Sequence, residues 1–212
     1  MAKKEKTVEI QPITVKEVIL TIEGDSDLVL NKMDDYTKRQ LIRKQKNLPK
    51  ETEAPDEWEI LITKLHWRDG TPKEFSEESM KDALINNAPC ISTFSLKKTF
   101  ADAMKWNGIE NIKTGFNATV SVVAPNGLVP IRFTDHYIDE KIIKTALGSP
   151  VLAILHRFGG WSADITIRFV DNGQYSLDRI IQIINLAGFS VGIGSGKTTG
   201  YGRYHIAKAT VM

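Results

Sequence analysis

Six glycines, Gly188, Gly192, Gly194, Gly196, Gly200 and Gly202, fall within fifteen residues near the C-terminal end of the sequence. Glycine this dense cannot continue a helix or a strand without a large entropic cost. The fold must therefore set an irregular loop between whatever precedes and follows it. Upstream, Leu177, Ile180, Ile181 and Ile184 recur at helical spacing and Ala187 continues the stripe. Ser176 is placed to cap that helix and Gly188 to end it. Downstream, "YGRYHIAKATV" alternates as a strand, with Gly202, Tyr204 and Ile206 toward the core and Tyr201, Arg203 and His205 on the other face. Before the helix, "WSADITIRFV" puts Ala163, Ile165, Ile167 and Phe169 on one face and Asp164, Thr166 and Arg168 on the other. That is a half-buried strand, broken by Asn172-Gly173. The order is strand, helix, glycine loop, strand.

Gly196-Lys197-Thr198 looks like the end of a nucleotide phosphate-binding loop, and spacing rejects it. The motif needs a glycine five positions earlier, where Val191 stands. Such a loop also opens a helix, whereas Thr199-Gly200-Tyr201-Gly202 follows here. No acid occurs after Asp178 to serve a magnesium ion.

The N-terminal part reads as strand, helix, strand: Lys16–Glu23, Asp35–Gln45 and the strand-forming "EWEILITKLHW" at Glu57–Trp67. The two halves predict an α+β fold with a ferredoxin-like (RRM-like) β-α-β-β-α-β core. A large central insertion at 76–155 swells its middle. Within it the sequence predicts a helix opened by Ser76, another over Ser95–Asn107 closed by Gly108, and a short helix over Asp139–Leu147 ended by Gly148. Asn126-Gly127, between Thr114–Val123 and Leu128–Phe133, predicts a hairpin. At 212 residues the chain is expected to form one domain, with residues 1–12 as a flexible charged arm.

Net charge is only +2, so the chain is no polybasic binder, but its charge is segregated. Tyr36–Lys50 holds six Lys or Arg and no acid, including Lys38, Arg39 and Arg43, while Glu51–Glu59 is acid-rich. Segregation of this kind suits a localised anionic partner; a solvated helix face is the plainer explanation of the first run. The lone Cys90 excludes an internal disulfide and multi-cysteine metal sites. No signal-peptide pattern and no membrane-spanning stretch occur, which predicts a cytoplasmic protein with no membrane partner.

Chemistry concentrates in the glycine loop. Gly192, Gly194, Gly196 and Gly200 permit close backbone approach, and a run of such residues can aim N–H groups at an anion. Lys197 adds a charge; Thr198 and Thr199 add hydroxyls. Tyr201, Arg203 and His205 beside Thr166 and Arg168 would make an open sheet face of the kind that holds single-stranded RNA. A tight structural turn is the competing explanation. The expected ligand is a single-stranded nucleic acid, with no cofactor and no metal.

Two stretches carry a family resemblance. Gly192-x-Gly194-x-x-Lys197-Thr198, followed by Gly200-Tyr201-Gly202-Arg203-Tyr204, resembles the C-terminal glycine-rich loop of the RAMP superfamily, RNA-binding proteins of CRISPR effector complexes. The Lys-Thr pair sits closer to the Gly-aromatic-Gly than in many members. "CISTFSLKKTFADAM" at Cys90–Met104 resembles the segment in backbone-type members where Ser-Leu-Lys starts a helix over a central groove. The match covers about a quarter of the chain, and the glycine-rich N-terminal strand-loop of the backbone subunits is absent from it. The resemblance implies RNA rather than DNA, and assembly with copies of the chain or with other subunits along a strand. The chain also resembles a group of uncharacterised phage proteins, through "DLVLNKM", Arg157-Phe158-Gly159-Gly160-Trp161 and a helix running into Gly192-Ile193-Gly194. That resemblance implies little about activity.

Two alternatives stay open. One is a phage structural or assembly protein, in which the apolar "SPVLAIL" run is a subunit contact. The other is a metal-independent endoribonuclease, as some RAMP members are. Its best general base would be His205, since His66, His136 and His156 show no catalytic spacing, and Asp34-Asp35 reads as a helix cap.

Overall fold

The computed structural model describes residues 13–53, 55–144, 150–171 and 175–212. The N-terminal arm, Gly148 and Asn172-Gly173 lie outside the described residues.

Strand β1 (Val15–Gly24) alternates as its sequence requires, with Val18, Leu20 and Ile22 fully buried. A turn leads to the short, buried β2 (Leu28–Leu30). Helix α1 (Asp35–Gln45) begins at Asp34, whose carboxylate accepts the Thr37 N–H at 2.7 Å, and it buries no residue. The strand expected at Glu57–Trp67 is instead α2 (Glu57–Thr63) followed by the two-residue β3 (His66–Trp67). The reason is local: Asp56 accepts N–H groups of Trp58 and Glu59, and acids at Glu57 and Glu59 favour a helix N-terminus over the strand propensity of the isoleucines.

Helix α3 (Glu77–Asn86) is capped by Ser76 as expected. Strand β4 (Pro89–Ser92) feeds α4 (Thr93–Trp106), which starts two residues before Ser95 with Ser92 as its cap, and Gly108, at φ +72°, turns the chain after the end. Next come α5 (Glu110–Thr119), β5 (Val120–Val123) and β6 (Leu128–Arg132). Strand β7 (Asp135–Lys144) takes the place of the helix expected at 139–147 as far as Lys144; the rest of that stretch lies outside the described residues. The strand pairs residue for residue with β8 (Pro150–Gly159), and ten cross-strand pairs override the helical composition. Strand β9 (Ser162–Val170), α6 (Leu177–Ser190) and β10 (Tyr204–Val211) complete the fold. In β9 the four expected core residues are buried. In α6 Ser176 is the cap, Ile180, Ile183, Ile184 and Ala187 are buried, and Ile181 packs at the margin.

The main sheet runs β10-β1-β9, with β5 and β6 both on the far edge of β9, all antiparallel. Val120–Val123 lie opposite Phe169–Thr166, and Ile131–Arg132 opposite Ala163–Ser162. The hairpin expected at Asn126-Gly127 is therefore not formed. Both residues take positive φ, but the strands they separate share one partner instead of each other. The order β10-β1-β9-β5 is the ferredoxin-like arrangement, and the mixed α+β fold is as expected. Its first helix is α4, which packs beside α6, and its second strand is β5. The helix at Asp35–Gln45 stands outside the core. The stretch 93–123, expected within one insertion at 76–155, belongs to the core, and the extra chain divides between 25–92 and 124–161. A second sheet, β2-β8-β7, stands beside the glycine loop. Among the described residues no helix is long and apolar enough to cross a membrane.

Candidate functional site

The glycine loop leaves α6 at Gly192, whose N–H returns to the Ala187 carbonyl at 2.9 Å. Ile193 is fully buried and anchors it. Its N–H donates to the Gly202 carbonyl at 2.9 Å, the Gly202 N–H to Asp27 O at 2.8 Å, and the Ser195 N–H to Val29 O at 2.8 Å. A β-carbon on Gly194 would lie 2.3 Å from Val29 O. Gly192, Gly194 and Gly202 thus bring the loop into contact with its own chain. Gly196 and Gly200, both left-handed, flank a single tight turn at Lys197–Thr199. Thr199 Oγ1 donates to Gly196 O at 2.8 Å. Among the described residues, the backbone N–H groups of Gly194, Gly196, Lys197 and Thr198 have no hydrogen-bond partner. Four donors remain of the expected cradle; the others are used in holding the loop together.

The predicted cations separate. Lys197 Nζ lies 3.9 Å from Asp102 of α4, and burial lowers its pKa, an effect the Asp102 charge opposes. Arg203 straps the loop, donating to Phe189 O at 2.9 Å and Lys197 O at 3.3 Å. Arg168 is ion-paired with Glu17 at 2.5 Å. On α1, Arg39 bridges Glu59 at 2.7 Å and Glu51 at 3.4 Å, and Arg43 donates to Pro49 O. Lys38 is on the same helix. These three stand on a separate helix and do not line the loop. His205 sits on the open sheet face with Nδ1 2.6 Å from Asp25.

That open face differs from the expected one. Arg132 pairs with Asp164 at 2.7 Å, Thr21 donates to the same carboxylate, and Arg168 meets Glu17. Tyr201 is not there: it turns toward β7 and β8. Lys141 Nζ donates to its hydroxyl at 3.1 Å, and the Arg157 guanidinium stands 5.3 Å from its ring centroid. Arg157 in turn holds Asp27 at 2.6 Å. With Arg132 and Arg168 paired to acids and Tyr201 elsewhere, the face shows among the described residues no aromatic platform of the kind that single-strand binding uses.

Two cavities flank the loop instead. The first, of about 170 Å³, opens between Gly194-Ser195 and the start of α4, and is lined by Lys32, Lys64, His66, Ser92 and Ser95. Burial lowers the pKa of Lys64, and burial reinforced by the Lys32 charge lowers that of His66. Cys90 also lines it, with its thiol pushed up to about 11 by burial, so it stays protonated. The second, of about 460 Å³, lies between the loop and the β7–β8 hairpin. Asn31 and Ser195 line both. Sequence reasoning missed Lys32, Lys64, His66 and Lys141, because no motif spacing relates residues brought together from three separate segments. It also missed the stacked His136 and His156, whose rings are joined Nε2 to Nδ1 at 3.0 Å, with His156 Nε2 at 2.9 Å from Leu61 O.

No family model matches the sequence, and no curated protein matches it. Solved structures do match in fold. A subunit of the type III-B Cmr-beta complex, determined by cryo-EM bound to cognate target RNA, superposes with a TM-score of 0.54 over 93% of this chain, at 11% identity. The present chain spans 61% of that subunit's length. Cmr6 from Pyrococcus furiosus superposes at 0.44, with 9% identity over 92% of this chain and 98% of that one. The chain shares the fold of that Cmr-beta subunit, the kind of fold that the glycine-loop resemblance implies.

Proposed function

We propose that this chain binds single-stranded RNA at the glycine-loop end of its fold, as one subunit of a larger assembly. The observation that carries the proposal is the first cavity. Two ammonium groups, Lys32 and Lys64, line a space beside a loop whose Gly194 N–H is unpartnered. Positive charge with free backbone donors is the chemistry of a phosphate seat. Gly196, Lys197 and Thr198 extend the same rim, with three further unpartnered N–H groups. Thr199, Gly200, Tyr201 and Arg203 act by holding that rim in shape. The RAMP-like fold supports the reading, since the superposed Cmr-beta complex was determined with target RNA. The basic residues Lys38, Arg39 and Arg43 of α1, and Arg168, would give secondary attraction at most, because three of these side chains already have protein partners, and Gly192, whose N–H is taken by Ala187 O, would only shape the loop.

Assembly finds support in the helical layer. Trp106 and Phe189 are 57% and 81% exposed, and the residues next to them are joined by the Asn107–Ser190 hydrogen bond at 3.2 Å. Large exposed apolar groups set close together suit a subunit contact.

Filter binding with single-stranded RNA, single-stranded DNA and duplex across a salt series tests the reading. Single-stranded RNA is expected to bind most tightly, with affinity falling linearly on a log–log salt plot. Absence of binding at low salt overturns it. The size of the complex on short and long RNA tests the repeated-subunit part; a one-to-one complex on both excludes it.

A further inference from the structure

The second cavity has a different chemistry from the first. Its floor is aliphatic, formed by Val29, Ala153 and Leu155. Its rim is polar, and part of that rim is idle. Among the described residues the Asn31 side-chain amide, the Ser195 hydroxyl and the Gly196 N–H have no hydrogen-bond partner. The remaining wall is fixed in place. Tyr201 is held by Lys141, Lys141 also meets Asp139 at 2.7 Å, and Arg157 beside the ring is tied to Asp27. A preorganised wall loses little freedom when a ligand enters.

An aliphatic floor under unpartnered donors and acceptors fits a planar heterocycle. A nucleobase has two apolar faces and an edge of alternating donors and acceptors. A side-chain amide offers two donors and one acceptor to such an edge. An apolar side chain from a neighbouring subunit would fill the floor and leave the amide, hydroxyl and N–H unmatched. Position argues the same way. The cleft adjoins the basic cavity, sharing Asn31 and Ser195 with it. Its volume of about 460 Å³ accepts one base with its sugar. Phosphate chemistry on one side of Ser195 and base chemistry on the other match the two ends of a single nucleotide.

We propose that the cleft between the glycine loop and the β7–β8 hairpin seats one nucleobase of the bound strand, its phosphate lying in the adjoining basic cavity. The proposal rests on the RNA-binding reading above. It makes Asn31 a specificity-determining residue and turns a backbone binder into one that also needs a base.

The test compares an RNA homopolymer with an abasic ribose-phosphate oligomer of equal length and charge, at one salt concentration. The wild-type protein is expected to bind the base-bearing strand about tenfold more tightly, the order of effect of one well-seated base. Asn31→Ala and Ala153→Phe should each remove most of that preference, and Ala153→Phe, at a position that lines the second cavity and not the first, should leave affinity for the abasic strand unchanged. Asn31 is exposed, so its variant folds even if the cavity-filling one does not. Equal wild-type binding of the two strands overturns the base seat, leaves the phosphate reading standing, and assigns the cleft to an apolar side chain of a neighbouring subunit. A preference that survives both variants places the base contact elsewhere and also overturns it. Binding of neither strand overturns the RNA reading itself.

Discussion

A β-carbon placed on Gly202 would lie 1.9 Å from the carbonyl oxygen of Ile193. The same atom on Gly200, two residues earlier, would meet nothing within 4 Å. Both glycines have positive φ, but only one is in close contact. Gly200→Ala should therefore cost only its left-handed backbone, about 1–2 kcal/mol. Gly202→Ala must also break the Ile193–Gly202 hydrogen bond and separate the loop from its own start, at a larger cost. Thermal melting of the two variants checks the contrast; equal losses would show that backbone strain alone matters in the loop.

The salt dependence of RNA binding should sort the basic residues. Lys32→Ala should lower the slope of log affinity against log salt by roughly 0.7, the value for one phosphate contact on a single strand, and Lys64→Ala by less, since its ammonium already donates to Ile154 O at 2.8 Å and burial lowers its pKa. Lys197→Ala should do so more weakly, because Asp102 already shares its charge. Arg203→Ala should act chiefly on stability, since its guanidinium bonds two loop carbonyls. Salt titrations and melts on the four variants separate these effects. An Arg203 variant with wild-type stability and a reduced slope would make it a phosphate ligand instead.

The stacked histidines predict an acid-sensitive fold. Burial pushes His136 down to about 4, and burial with the neighbouring His136 pushes His156 down to about 3. In the unfolded chain both return to about 6.5. Between those values the unfolded state binds more protons than the folded one, so stability is full above about pH 6.5 and declines as pH falls toward 4. The melting temperature should drop between pH 7 and pH 5, by about 2–4 °C for each kcal/mol lost. His136→Phe keeps an aromatic ring beside Phe158, whose centroid is 4.9 Å away, and should flatten this dependence. An unchanged pH profile in that variant would clear His136 of responsibility and leave the dependence to the buried His156.

The helix stripe offers a test of the core. Ile184→Asp puts a carboxylate at a fully buried position and should cost several kcal/mol. Ile181→Asp, at the margin of the same helix, can reach solvent and should cost less. Denaturant unfolding of both variants checks the ranking; a reversed order would mean that α6 is rotated on the sheet.

Elements governed by neighbours in sequence were legible. Ser76 and Ser176 cap the helices expected of them, and the alternation of Ala163 to Phe169 faces the core as read. Errors arose where distant pairing decided. Asp139–Lys144 has helical composition yet lies along β8, and Asn126-Gly127 makes its turn while β9 takes both flanking strands. At Glu57–Thr63 the helix signal was present in Asp56 and its following acids, and strand-forming isoleucines masked it. The glycine loop was legible as a loop, but not as one that folds back on β2. That contact required knowing where Asp27 and Val29 would be. Lys32 left no trace in spacing beside Lys64 and His66, since the segment after β2 meets the α2–β3 junction only in the folded chain.

Strand β1 hydrogen-bonds on one side to Ser162–Val170 and on the other to Tyr204–Val211. Both partners lie more than a hundred residues later in the chain. A ribosome making this protein releases Val18, Leu20 and Ile22 long before anything exists to cover them. Pairings of such long sequence separation form slowly, because the intervening loop must close first. Until those partners emerge the chain carries an unpaired apolar strand, which makes aggregation the characteristic hazard of its birth. The emergence of Tyr204–Val211 closes the glycine loop and covers the second edge of that strand. In this molecule the act that finishes the fold is also the act that shapes the proposed ligand seat, so a partly made chain has neither.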